Sequence, residues 1–375
     1  MKKLDQLTGW RFVAAFGVIL CHFTDLLFVG LPNFVQRLSL GMANFVAFFF
    51  ILSGFILAYN YQDKFVRGTT STREFLVARF ARIYPALLFS LAVAAPTYLF
   101  INLRTHVSLP AMFVYSIFTL LLINTWLPGV KWDPIMPWNG PTWSIETEFF
   151  FYLCFPFLIK PLSKLNLRSN YIAWGVLAVF MVLVCLTYDQ ISGPRGGEPF
   201  RGAFDLIHSS PYFCVFEFIF GIVTYNIARQ LPEASIDKLR NNAVWIFPIL
   251  VACYVGLNLT MHTMSTMHGL PAIVFALAIL LSYPSPKSLS LLETPTLIYL
   301  GEISFSLYLL HIPMRRLFEF LCKVVSPLDG LYRHFPQAYA LIVIGASFVL
   351  AGVCMKYIED PLRRKIRQAL SPRKA

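Results

Sequence analysis

Long apolar runs recur along the sequence from residue 10 to residue 358, and only short polar segments separate them. Only 13% of the residues are charged, whereas a soluble domain usually carries about 25%. With so few charges, most of the chain has to face lipid or other apolar side chains rather than water. No polar segment is long enough to fold separately, so we predict a single membrane-embedded domain over residues 1–375.

Ten of the runs are candidates to cross a bilayer as helices, which takes about 20 apolar residues. They are 10–29, 41–60, 83–101, 142–160, 171–188, 208–229, 243–259, 269–283, 297–320 and 336–358. A further run, 111–127, is shorter. The pattern predicts an all-α polytopic membrane protein with about ten transmembrane helices.

Basic residues cluster in three segments, which are 61–82, 160–170 and the C-terminal tail from Arg363. Cytoplasmic segments are enriched in Lys and Arg, so all three should be cytoplasmic, as should Lys2 and Lys3. All three segments can lie on the cytoplasmic side only if 111–127 enters and leaves the membrane on the same side. We therefore predict that 111–127 is re-entrant and that both termini are cytoplasmic.

The predicted outer loop 315–335 departs from this charge pattern. It carries four basic residues, Arg315, Arg316, Lys323 and Arg333. These charges either weaken the topology prediction or mark a binding surface for an acidic partner. The net charge of +12 does not indicate a nucleic-acid partner, because the basic residues lie in short loops and not on a soluble module. The seven cysteines are scattered without a CxxC spacing, so we expect no disulfide framework and no metal site.

Arg11 and His22 lie in the first predicted span, which we expect to be uncleaved because it lacks a small-residue cleavage site. They are eleven residues apart, almost three helical turns, so both side chains point to one face, about 16 Å apart along the axis. A polar side chain at depth usually faces the bundle interior or a wet cavity. His22 is therefore either a core histidine bonded to a neighbouring helix or a functional group on a path from the cytoplasm. Asp25 either orients its imidazole or lies inactive at the outer interface.

Two further pairs of charged residues lie at the ends of predicted spans. Arg79 and Arg82 share one helix face at the cytoplasmic start of the third span. They suit a phosphate group, and positive-inside anchoring is the alternative. Glu146 and Glu148 point about 200° apart on a helix, so at most one of them faces a given cavity. An intramembrane carboxylate is a functional candidate, with interfacial solvation as the alternative.

A polar stripe follows one face of the ninth predicted span. Ser304, Tyr308 and His311 recur there at spacings of four and three. Such a stripe either bonds helix to helix or lines a site.

Together these segments resemble the acyltransferase 3 family of integral-membrane acyltransferases. The resemblance covers nearly the whole chain, and it is carried by five motifs in order. Arg11 and His22 match R-x10-H, residues 48–55 resemble FFxLSGF, and Arg79 and Arg82 match RxxR. Trp143 and Ser144, with Glu148 and Tyr152, resemble WSLxxE…Y, and residues 300–313 resemble LGxxSYSLYLxHxP, with Phe305 where the family often has Tyr.

The resemblance implies an enzyme that moves an acyl group, commonly acetyl, from cytoplasmic acyl-CoA such as acetyl-CoA to a carbohydrate such as a surface or exported polysaccharide. Arg11, Arg79 and Arg82 would hold the coenzyme A phosphates. His22 would act as general base or carry the acyl group itself, with Asp25 or Glu148 orienting its ring. The expected substrate-binding residues are Trp143, Glu146, Ser304, Tyr308 and His311. We expect a location in the bacterial inner membrane, and no added hydrolase-like domain after the last span.

Two other classes of protein fit the same pattern. One is a transporter or flippase, and the other is a non-catalytic subunit of a polysaccharide-export system. A transporter needs no acyl donor, so protection against heat by coenzyme A would favour the enzyme. A non-catalytic subunit would tolerate loss of His22 and of both RxxR arginines. The sequence leaves open the acceptor, the choice between acetyl and succinyl donors, and the oligomeric state.

Overall fold

A computed structural model describes residues 4–127, 130, 132, 134–192, 201–260, 268–323 and 325–370. Within these residues the fold is all-helical, without any strand. The α-helices are α1 Asp5–His22, α2 Thr24–Leu27, α3 Asn33–Gly41, α4 Phe45–Val66, α5 Thr72–Arg104, α6 Leu109–Leu121, α7 Thr142–Leu162, α8 Leu167–Ser192, α9 Arg201–His208, α10 Pro211–Gln230, α11 Glu233–Thr260, α12 Leu270–Ser282, α13 Pro295–Cys322, α14 Ser326–His334, α15 Pro336–Cys354 and α16 Asp360–Leu370. Lys2 and Lys3, which were predicted to be cytoplasmic, lie outside the described residues, as does the end of the C-terminal tail, 371–375.

Each of the ten predicted spans lies largely on one of these helices. Seven helical segments are long and apolar enough to cross a membrane, and α12 with the 3-10 helix Lys287–Glu293, bent at 96°, adds an eighth if the two count as one span. α1 and α7 fall outside this group. The multi-pass all-α class is thus confirmed, and the number of ten stays a prediction.

The short apolar run folds as α6, which ends at Leu122 in the left-handed conformation (φ 60°). Thirteen residues of helix span about 20 Å, less than the roughly 30 Å of a hydrocarbon core. This length agrees with a segment that enters and leaves on one side. α12 also has thirteen residues, so the span predicted over 269–283 is shorter than a full crossing and turns sharply at its end.

The first predicted span, 10–29, is shifted in the structure. Its helix α1 begins earlier, at Asp5, and ends at His22, where Phe23 interrupts the helix before α2. His22 therefore lies at the end of a helix and not inside one. This position leaves its ring free to contact a neighbouring helix.

The three basic segments lie together at one end of the bundle. The contacts that join them are the ion pairs of Asp63 with Arg229 (2.7 Å) and of Arg82 with Glu359, and the hydrogen bond from Gln230 to the carbonyl of Leu165 (3.0 Å). The ten-span prediction requires the three basic segments to lie on one side of the membrane, and their position at one end of the bundle agrees with it. The assignment of this end to the cytoplasmic side stays a prediction.

α1 and α13 pack side by side in the same direction. Near their starts, Gly301 of α13 lies against the backbone carbonyl of Thr8. At the end of α1, the ring nitrogens of His22 and of His311, in the second half of α13, are 2.9 Å apart. A Cβ at position 301 would collide with the Thr8 carbonyl, so glycine is what permits this approach, as small residues do between membrane helices.

We expect Gly301→Ala to lower the thermal stability of the detergent-solubilised protein, because the added methyl forces α1 away from α13. Inserting a methyl into a packed interface costs about 1–3 kcal/mol. Heat-unfolding midpoints of the variant and the wild type measure this effect. Gly345→Ala is the control, because a Cβ at that helical position meets no atom within 4 Å. Equal midpoints for the two variants would contradict the packing argument.

Candidate active site

A cavity of about 460 Å³ lies between α1, α4, α5, α7 and α13. This volume is in the range of small-molecule sites, about 300–1,000 Å³. The structure brings six of the predicted site residues together in its wall, Arg11, Arg79, Arg82, Glu148, Ser304 and Tyr308. One end of the cavity is lined by Leu4, which precedes α1, by Thr8 of α1, by Asn60 of α4 and by the two α5 arginines. This is the end of the bundle that carries the basic segments.

Arg11 and Arg79 are cations without a carboxylate partner in the part of the chain that the structure describes. Arg79 donates a hydrogen bond to the hydroxyl of Tyr61 (3.1 Å), and its guanidinium lies 5.3 Å from the centre of that ring and 5.8 Å from that of Tyr152. Aromatic faces favour a cation electrostatically without neutralising it. Both arginines therefore remain able to bind an anion in the cavity.

Arg82 differs from the other two arginines because it forms an ion pair with Glu359. Glu359 is fully buried, and its second oxygen accepts a hydrogen bond from Ser306 (2.7 Å). The guanidinium of Arg82 also lies 5.0 Å from the centre of the Phe305 ring. From the sequence, the three arginines were predicted to act alike, and the ion pair of Arg82 with Glu359 was not predicted. The available signal was a carboxylate just after the last predicted span, directly before the helix that carries the basic tail.

The two carboxylates of α7 point to different surroundings, as their spacing predicted. Glu148 faces the cavity, where it accepts hydrogen bonds from Ser53 (3.0 Å) and Tyr152 (2.7 Å). The predicted contact between Glu148 and the His22 ring is absent among the described residues. Ser53 was not predicted as a site residue, although it lies inside the motif at 48–55.

Glu146 does not line the cavity. Its carboxylate accepts hydrogen bonds from the Asn124 side chain (2.8 Å) and the backbone N–H of Thr125 (2.9 Å), so it holds the turn that follows α6. This position does not support the prediction that Glu146 binds substrate. Trp143 also points away from the cavity, with its ring 6.1 Å from Phe50 and 5.0 Å from His208, and the same correction applies to it.

The inner end of the cavity is formed by Tyr308 and Ser144, whose hydroxyl oxygens are 2.8 Å apart. Ser304 lies one turn earlier on α13 and donates to the backbone carbonyl of Gly301 (2.8 Å). His311 follows Tyr308 by one turn, is fully buried, and contacts His22. The two histidines therefore lie just beyond the inner end of the cavity, and neither lines it.

The hydrogen bonds of the histidine pair define which nitrogen of His22 is available. Nδ1 of His311 is 2.6 Å from the carbonyl oxygen of Tyr308, which only accepts, so this nitrogen carries the proton. In the neutral ring, Nε2 of His311 is then an acceptor, and Nδ1–H of His22 donates to it. This leaves Nε2 of His22 unprotonated and without a protein partner among the described residues. A nitrogen with a free lone pair, held by a second group through the other nitrogen, is the arrangement of a catalytic base.

Asp25 does not orient the His22 ring. Both of its carboxylate oxygens bind the guanidinium of Arg315, at 2.6 and 3.0 Å, and Arg315 also donates to the backbone carbonyl of His22. Glu319 binds the same guanidinium at 2.8 Å. The prediction of an Asp25 base-orienter contact is therefore wrong, because the cation on α13 attracts the carboxylate. The orienting partner is His311, which the sequence argument had assigned to substrate binding.

Comparison with known proteins decides which family this arrangement represents. A family model described as an acyltransferase domain matches residues 4–356. The chain belongs to the acyltransferase 3 family. It is 28% identical to the acyltransferase MdmB of Streptomyces mycarofaciens over 96% of this chain and 92% of MdmB. It is also 22% identical to the O-acetyltransferase OatA of Staphylococcus aureus over 97% of this chain and 58% of OatA. No solved structure matches the chain.

The predicted family is thus confirmed, and the protein is an acyltransferase that passes through the membrane several times. The chain spans nearly all of MdmB but less than three fifths of OatA. Within this acyltransferase the two residues of the R-x10-H motif have separate surroundings. Arg11 lines the cavity, and His22 belongs to the histidine pair at the far end of α1.

We expect Glu359→Gln to destabilise the acyltransferase strongly, because Arg82 would keep its charge in a mostly buried position without a partner. Removing one member of a buried ion pair costs about 3–5 kcal/mol. Thermal unfolding in detergent measures the loss. The double variant Arg82→Met/Glu359→Met should recover part of it, since both charges are then gone. A single variant as stable as the wild type would show that the pair contributes little.

Proposed function

We propose that this protein is an O-acyltransferase of the bacterial inner membrane that moves an acyl group, most simply acetyl, from cytoplasmic acyl-CoA to a hydroxyl of a carbohydrate such as an exported polysaccharide. One observation carries the proposal. A cavity has two guanidinium groups at one end, neither of them in an ion pair among the described residues, and approaches at its other end a histidine whose free nitrogen is fixed by its hydrogen bonds. The printed name of OatA, an O-acetyltransferase, supports an oxygen acceptor and an acetyl donor.

The arginine end suits the phosphates of coenzyme A. Guanidinium groups bind phosphate oxygens through two parallel hydrogen bonds, and they do so best where water is partly excluded. Arg11 and Arg79 supply the binding charge in this proposal. Arg82, tied to Glu359, holds α5 to the C-terminal segment and contributes less to the donor. The basic segments at this end agree with a donor that enters from the cytoplasm.

The pantetheine arm then extends along the cavity toward Tyr308. Arg11 and His22 are separated by about 16 Å along α1, so the thioester has to pass the inner end of the cavity to meet the histidine. Tyr308 and Ser144 close that end through a single hydrogen bond between their hydroxyl groups. Rotation of either side chain opens the path without moving a helix.

His22 acts as a general base in the proposed reaction. Its Nε2 takes the proton of the acceptor hydroxyl while the hydroxyl oxygen attacks the thioester carbonyl. The new C–O bond forms, the C–S bond breaks, and the leaving thiolate takes the proton back from Nε2. His311 keeps the proton on Nδ1 of His22 throughout, and thus positions the ring without touching the reacting atoms.

The acceptor approaches from the side opposite to the donor. His22 lies at the same end of the bundle as Asp25, which is 59% exposed, and the ion pair with Arg315 lies beside it. Charged and hydrogen-bonding groups around His22 suit a polar acceptor such as a sugar. The location of this end outside the cytoplasm follows from the topology prediction.

We expect Arg11→Ala or Arg79→Ala to weaken binding of coenzyme A about 10- to 100-fold, because each charged hydrogen bond contributes about 1.5–3 kcal/mol. Calorimetric titration at several salt concentrations measures the affinity, which should also depend less on salt in the variants. Arg73→Ala is the matched control, an exposed arginine of α5 outside the cavity. Unchanged affinity in Arg79→Ala at every salt concentration would exclude its phosphate role.

We expect His22→Ala to lower kcat for acyl transfer about 100- to 10,000-fold, the usual contribution of a positioned base. His311→Ala should lower kcat as well and leave the KM for acyl-CoA nearly unchanged, because His311 acts only through the ring of His22. His311→Gln should recover part of kcat, since its amide oxygen can accept from Nδ1–H. Transfer from labelled acetyl-CoA to a panel of glycans measures these values. Full activity of His22→Ala would refute the mechanism.

A further inference from the structure

A second group of buried polar side chains lies outside the cavity, where α10 begins. Cys214 and Glu217 belong to the first two turns of α10, and His268 lies two residues before the start of α12. Their sulfur, oxygen and nitrogen atoms all lie within 4.8 Å of one another. Cys214 and Glu217 are fully buried, and His268 is 3% exposed. No spacing motif indicates this group, since fifty-one residues separate His268 from Glu217.

The contacts within the group leave one carboxylate oxygen without a partner. Nδ1 of His268 is 3.0 Å from Oε1 of Glu217, but Oε2 is buried and makes no hydrogen bond. Among the described residues, the thiol of Cys214 donates hydrogen bonds to the backbone carbonyls of Ile207 (3.7 Å) and His208 (3.6 Å). A buried carboxylate is unfavourable unless it is paired or binds a metal ion. The unpartnered oxygen therefore points to a cation.

His208 completes the group from the end of α9. Its Nδ1 is 3.1 Å from Nε2 of His268. If Nε2 of His268 donates to this nitrogen, Nδ1 of His268 carries a free lone pair on the side where Glu217 lies. Histidines that bind metals usually donate their other N–H to a neighbouring group that fixes the ring, and His208 is placed to do this.

We propose that Cys214 Sγ, the Glu217 carboxylate and His268 Nδ1 bind a divalent transition-metal ion of the zinc type, with His208 positioning His268. Thiolate, imidazole and carboxylate are the ligands that zinc prefers, whereas magnesium and calcium take oxygen ligands. Cys214 lies in the first turn of α10, where the helix dipole stabilises negative charge. Binding releases the proton of Cys214 to solvent and replaces its contacts to the carbonyls.

The ion would fasten three separate parts of the chain to one another. It joins the start of α10 to the segment before α12 and, through His208, to α9. The elbow between α9 and α10 already contacts α7, because Thr147 donates to the carbonyl of Ser209 (2.8 Å). The role of the ion is thus structural. It lies on the side of α7 that carries Trp143 and Thr147, outside the cavity.

The test uses purified full-length protein in detergent, stripped of metal and titrated with Co²⁺. We expect thiolate-to-cobalt charge-transfer absorption that saturates at one ion per chain, disappears on addition of Zn²⁺, and accompanies a rise in the thermal midpoint. Cys214→Ser should abolish the absorption, and His208→Ala should weaken cobalt binding about 10- to 100-fold. Cys354→Ser, which removes a buried cysteine of α15, is the matched control and should bind as the wild type does.

Two results would overturn the proposal. If the wild type gives neither the absorption nor a shift of the thermal midpoint, the group is a chain of hydrogen bonds from His208 through His268 to Glu217. If Cys214→Ser keeps the absorption and stoichiometry of the wild type, the ion binds elsewhere. The wild-type titration requires no variant to fold, so the test does not depend on the stability of the substitutions.

Discussion

The parallel packing of α1 against α13 is the contact on which the site depends. Gly301 allows the two backbones to approach each other near the start of α1. At the end of α1, this packing brings a ring nitrogen of His22 to 2.9 Å from one of His311. Arg315, on the same face of α13, holds the last carbonyl of α1. The free nitrogen of His22 is thus fixed by a neighbouring helix, both through its ring and through its backbone.

The arginines that this packing brings into the bundle differ in the groups that compensate their charge. Burying an unpaired charge is unfavourable, so a cation in the bundle needs a carboxylate, an aromatic face or contact with a wet cavity. Arg82 has Glu359, Arg315 has Asp25 and Glu319, and Arg79 has Tyr61 and Tyr152. Arg11 forms no ion pair among the described residues and lines the cavity, whose wall also carries Glu148. Arg11 and Arg79 thus both lack an ion pair among the described residues and both line the cavity, where the phosphates of an anionic donor would supply a partner.

The proposed reaction assigns the two ends of α1 to different partners. Arg11 faces the cavity that we assign to acyl-CoA, and His22 faces the side that we assign to the acceptor. Tyr308 and Ser144 lie between them. An enzyme that joins substrates from opposite sides of a membrane needs such a separation, because an open path would let water and ions leak through.

The sequence alone determined the class, the family and the approximate positions of the helices, because hydropathy, basic clusters and motif order are properties of neighbouring residues. It also determined that Glu146 and Glu148 diverge, since helical geometry fixes the angle between them. Which side chains pair with one another was decided only by the tertiary structure. Asp25 binds Arg315, His22 binds His311, and Arg82 binds Glu359, across separations that reach 290 residues. No local pattern predicts such pairs, because which buried charge meets which carboxylate depends on how the helices pack.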